Sequence, residues 1–60
     1  MGKRALKRRI ESLRQRIAEH EDKIAVEKAL LHPDTGLIHH WQIEINAFNI
    51  SLQRALKRLV

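Results

Sequence analysis

The chain has 60 residues, 43% of them hydrophobic, and its 12 Lys or Arg against 7 Asp or Glu give a net charge of +5. That length allows one domain with a small core, because a chain of this size hides only about 60% of the surface its unfolded form exposes, and such chains often lean on a disulfide, a metal or a partner subunit. With no Cys in the sequence, disulfides and thiolate zinc sites are excluded, which leaves a partner subunit as the expected support.

The first predicted element is a helix over about 3–31. Leu6, Ile10, Leu13, Ile17, Ile24 and Leu31 recur at spacings of three, four or seven, which places them on one helical face. Two positions of that stripe are polar, His20 and Glu27. The residues between are Ala, Glu, Lys, Arg and Gln, all good helix formers. The helix opens with Lys3, Arg4, Lys7, Arg8, Arg9, Arg14 and Arg16 against a single acid, Glu11. Positive charge is disfavoured at a helix start, where the macrodipole is itself positive. Glu11 is placed to relieve it by pairing with Lys7 or Arg8.

The second element is a turn over 32–36, His32-Pro33-Asp34-Thr35-Gly36. Pro33 cannot continue a helix and pushes His32 out of helical geometry. Asp34 or Thr35 is then placed to cap the helix that follows.

That helix is expected over about 37–59. Ile38, Trp41, Ile45, Phe48, Leu52, Ala55 and Leu59 alternate spacings of three and four, a continuous stripe. Two helices joined by so short a turn must run antiparallel. The fold class is therefore all-α, a two-helix hairpin whose core is the two stripes. Facing residues should have numbers summing to about 69, which puts Ile24 near Ile45, Ile17 near Leu52, Ile10 near Leu59, and His20 opposite Phe48 and Asn49. Leu31 should close the loop end against Leu37 and Ile38, and Trp41 should be a core anchor covered by Lys28.

Some apolar residues do not fit an isolated hairpin. Ile43, Ala47 and Ile50 lie on the side of the second helix away from its stripe, and Val26 and Leu30 lie off the stripe of the first. A helix apolar on two sides is usually buried on two sides. These five residues form the expected interface with a second copy in a homodimeric four-helix bundle, or with a larger protein.

The hairpin also sorts the charge. It brings both termini to one end, where Arg54, Lys57 and Arg58 join the cations of the first helix. Between them, residues 17–50 hold Lys23 and Lys28 against Glu19, Glu21, Asp22, Glu27, Asp34 and Glu44. One pole is strongly basic and the rest is acidic. Cations at helical spacing on a rigid scaffold match phosphates, so the expected function is that of a small regulator or accessory protein binding DNA or RNA backbone. The candidate nucleic-acid-binding residues are Lys3, Arg4, Lys7, Arg8, Arg14, Arg16, Arg54, Lys57 and Arg58. Trp41 and Phe48 are the only aromatic residues besides the histidines, and both sit on the core stripe, which argues against stacking on single strands. The competing expectation is a protein-interaction module docking through the second apolar face.

Other chemistries have less behind them. No residue set pairs a nucleophile with a base, so no enzyme activity and no cofactor are expected. His32, His39 and His40 lie near Asp34 and Glu44, but His39 and His40 are adjacent and point about 100° apart on a helix, so no metal site is expected. A membrane partner would occupy the stripe that the second helix needs. No apolar run approaches the ~18–20 residues that span a bilayer, and no apolar segment of a signal peptide follows the basic start, so a cytoplasmic location is expected.

Overall fold

The computed structural model describes residues 2–59. They form two helices that pack against each other, α1 (Gly2–Lys28) and α2 (Thr35–Leu59).

Both helix boundaries at the turn differ from the sequence expectation. α1 stops at Lys28 instead of near 31. The Ala29 N–H is shared between the carbonyls of Ala25 and Val26, both at 3.2 Å, and the Leu30 N–H reaches the Glu27 carbonyl at 3.1 Å. Bonds to the third residue back tighten the last turn and end the helical ladder. α2 begins at Thr35, because Asp34 caps it. Asp34 Oδ1 accepts the Leu37 N–H at 3.0 Å, and its carbonyl accepts the Ile38 N–H at 3.1 Å. Glu27 Oε2 in turn accepts the Asp34 N–H at 3.0 Å, so a side chain of α1 ties down the residue that starts α2. The turn is therefore residues 29–34, not 32–36.

Removing that cap has a defined cost. Asp34→Ala should destabilise the hairpin by about 1 kcal/mol, which for a domain this small lowers Tm by roughly 4–8 °C. Asp34→Asn keeps an acceptor oxygen and should lose little. Thermal melts of the two variants followed by circular dichroism check this, and equal losses would count against the cap.

The contacts between the helices span a small range of registers. Arg16 with Phe48, His20 with Glu44, and Lys23 with Trp41 have numbers that sum to 64, and His20 with Phe48 to 68. Ile24 shares a hollow with Ile45, and Ile10 with Leu59, pairs that sum to the expected 69. Helices whose contacts pair low numbers with high ones run antiparallel, as the sequence required.

The core follows the two stripes with one exception. Ile10, Ile24, Ile45, Leu52 and Ala55 are buried, and Leu6, Leu13, Ile17 and Leu59 pack against the cluster of Ile10, Leu52 and Ala55. Ile38, Trp41 and Phe48 are half-buried. Leu31 is the exception. It is 89% exposed and does not close the loop end, because α1 ends before reaching it and the backbone no longer aims it along the stripe. Leu56, off the predicted stripe, packs against the core cluster instead.

The hairpin is long and thin, 48 × 14 × 12 Å, with a radius of gyration of 14.1 Å where about 10 Å is usual for 60 residues. Its accessible surface is 5038 Å², against about 4,100 Å² for a folded monomer of this mass.

Candidate nucleic-acid interface

Every candidate cation is exposed: Lys3, Arg4, Lys7, Arg8, Arg14 and Arg16 on α1, and Arg54, Lys57 and Arg58 on α2. The hairpin brings the two groups together at one end. Lys3 and Arg9 from α1 and Arg58 from α2 line one open depression of about 450 Å³, with Ala5 and Leu6 on its walls. Residues at opposite ends of the chain thus share one surface. On another side, Lys7 and Arg14 border a groove floored by Ile10, Leu56 and Leu59. Arg54 and Lys57 flank Ile50 on the outer side of α2. The cations therefore surround the pole instead of forming a single face.

Arg9 is the one cation of this end outside the candidate set. Its signal was present in the sequence, since Arg9 and Arg16 are one heptad apart on the same side of α1. Its meeting with Arg58 required the hairpin.

Among the described residues, no Lys or Arg of the pole lies within salt-bridge distance of a carboxylate; the Glu44 carboxylate contacts the imidazoles of His20 and His40 instead. Glu11 does not pair with Lys7 or Arg8, which corrects that expectation. The first turn of α1 has no acidic residue, so its cations oppose the helix dipole, while Lys57 and Arg58 in the last turn of α2 complement theirs. Unpaired cations held close together attract a polyanion strongly at low salt.

Arg16 of the pole and Lys23 lie near the aromatic residues. Arg16 lies 6.0 Å from the Phe48 ring centroid and Lys23 6.0 Å from that of Trp41. Lys23, not Lys28, is the residue over Trp41. The contacts are at the outer limit of cation–π attraction. Both rings are half-buried, and Trp41 also lines an open hollow with Asp22, Lys23, Val26 and Glu27.

The histidine on the α1 stripe has local partners. His20 Nδ1 lies 2.8 Å from the Arg16 carbonyl and Nε2 lies 3.3 Å from Glu44 Oε1, while the ring meets Phe48 edge-on at 5.2 Å. Phe48 lies opposite His20 as expected, while the histidine's polar partner is Glu44 and not Asn49. His40 Nε2 also reaches Glu44 Oε1, at 3.0 Å and one helical turn away. His32 and His39 are exposed, and among the described residues no group of three His, Cys, Asp or Glu is arranged to hold a metal ion.

The candidate interface residues Ile43, Ala47, Ile50, Val26 and Leu30 are all exposed. Ile43 and Ile50 keep 54% and 56% of their surface in solvent. No helix among the described residues is long and apolar enough to cross a membrane. No protein-family model matches the chain, and neither a curated protein nor a solved structure matches it significantly.

Proposed function

We propose that the chain is a small, non-enzymatic regulator or accessory protein of the cytoplasm that binds nucleic-acid backbone through its basic pole, acting as a homodimer of four helices. The observation that carries this reading is the pole itself: ten exposed Lys and Arg, drawn from both ends of the chain, none of them neutralised by a carboxylate of the described structure. Such an arrangement costs stability through self-repulsion, and a polyanion relieves it by taking up the charge. Arg forks give bidentate contacts to phosphate, and Lys gives point-charge contacts. Because Trp41 and Phe48 sit half-buried on the core stripe and are the only aromatic residues besides the histidines, the binding is to the duplex backbone and not to stacked single-stranded bases.

The test is a titration of labelled duplex DNA and duplex RNA repeated over a range of salt concentrations. Affinity should fall steeply with salt, with a log–log slope of about −0.9 per phosphate neutralised on DNA. A folded, helical sample that binds neither duplex at low salt would overturn the reading.

The exposed Ile43 and Ile50 favour a second reading, a module that docks on a larger protein. Under it, Ile43→Glu with Ile50→Glu abolishes partner capture while Arg8→Glu with Arg14→Glu leaves it unchanged. Under the first reading, the arginine changes abolish duplex binding.

A further inference from the structure

We propose that the partner of the exposed α2 face is a second copy of this chain, packed antiparallel on the outer side of α2 so that Ile43 of each copy lies on Ile50 of the other. The inference rests on the homodimer of the proposed function and specifies its geometry.

The first support is where the face lies. Ile43 is two residues from both Trp41 and Ile45, and Ile50 is two residues from both Phe48 and Leu52. Two residues on an α-helix are about 200° of rotation, so both isoleucines stand almost diametrically opposite the core stripe. In a square four-helix bundle each helix meets its two neighbours about 90° apart. Apolar stripes on opposite sides instead put the two α2 helices in the middle of a flat layer, with each α1 outside.

The second support is area. The hairpin exposes 5038 Å², about 900 Å² more than a folded monomer of its mass, and a stable interface of standard size takes about 800 Å² from each partner.

Charge selects the direction. The outer side of α2 carries Ile43, Ala47 and Ile50, and then Arg54 and Lys57. A parallel pair would set Arg54 against Arg54 and Lys57 against Lys57. An antiparallel pair centred between Asn46 and Ala47 joins Ile43 to Ile50 twice. It moves Arg54 opposite His39 of the second copy, and Lys57 beside the helix start that holds Asp34. This is the self-complementary exchange a two-fold axis requires. The small Ala47 lies at the axis, where the helices approach most closely. A shallow hollow lined by Asn49, Ile50, Gln53, Arg54 and Lys57 lies one turn beyond the Ile50 contact, where this register sets His39 of the second copy. The two basic poles then stand about 30 Å apart at opposite ends of the dimer, instead of merging into one.

The absence of Cys makes the test direct. Ile43→Cys and Ile50→Cys variants are prepared, their helicity is checked by circular dichroism, and they are oxidised separately and as an equal mixture after subunit exchange. Both positions are more than half exposed, so the hairpin core is untouched. Helices at contact distance bring facing residues within the Cα separation that a disulfide tolerates. The mixture should yield the covalent heterodimer at least tenfold faster than either variant alone. Faster linkage within Ile43→Cys alone would show a parallel pair and overturn the geometry. A dimeric chain that links in none of the three samples would place the interface on another face and overturn it too. If sedimentation finds the unaltered chain monomeric at ~100 μM, the homodimer itself fails, while duplex binding by the pole is scored separately by the salt titration.

Discussion

Ile45→Ala should destabilise the hairpin by about 2–5 kcal/mol. Ile45 keeps only 5% of its surface and sits near the centre of the stripe that joins α2 to α1. Removing a buried isoleucine to the β-carbon costs about 2–5 kcal/mol, because the lost transfer energy is joined by that of the cavity. A domain of 60 residues holds roughly 3–9 kcal/mol in total, so the loss takes a large share of it. The comparison is Ile43→Ala, two residues away and 54% exposed. At high dilution, where subunits separate, Ile43→Ala should change stability by less than about 0.5 kcal/mol. At high concentration it should lower Tm by weakening association, since anything bound only to the folded state raises apparent stability. Thermal melts at 222 nm over a hundredfold range of concentration separate the two effects. Equal losses for both variants at every concentration would mean that α2 does not present the Ile45 side to α1.

The double variant Arg9→Ala, Arg58→Ala should lose duplex binding while keeping its fold. Arg9 and Arg58 share the walls of one depression at the pole. Both are exposed, and neither is within salt-bridge distance of a carboxylate among the described residues, so their removal leaves no group unpaired. Each cation that neutralises a phosphate contributes close to one unit of salt slope. The double variant should therefore flatten the slope by about two units and weaken binding on the order of a hundredfold at ~50 mM salt. Lys28→Ala removes a cation at the turn end of α1 and serves as the control. It should leave the slope unchanged. If Lys28→Ala weakened binding as much as the double variant, the bound surface would not be the basic pole.

The number and direction of the helices, the existence of a break at Pro33 and the segregation of charge were legible in the sequence. Each of these is a local or periodic property. Leu6, Ile10, Leu13 and Ile17 mark a helical face through their spacing alone, and a short turn between two such faces leaves only an antiparallel return. Once that return is granted, simple counting puts Arg54, Lys57 and Arg58 at the same end as the cations of α1.

What lay beyond the sequence depends on contacts between distant residues. Glu27 reads as a flaw in an apolar stripe until its carboxylate is seen to accept the Asp34 N–H across the turn. That contact accompanies an α1 that ends at Lys28 and leaves Leu31 in solvent. The folded hairpin sets Glu44 rather than Asn49 beside His20, and Lys23 rather than Lys28 over Trp41. It also brings Arg9 and Arg58 to the walls of one depression. Periodicity states which side of a helix faces inward, because rotation per residue is fixed by backbone geometry. It does not state how far one helix slides along the other, because that follows from side chains at the turn whose partners are chosen only when the chain has folded.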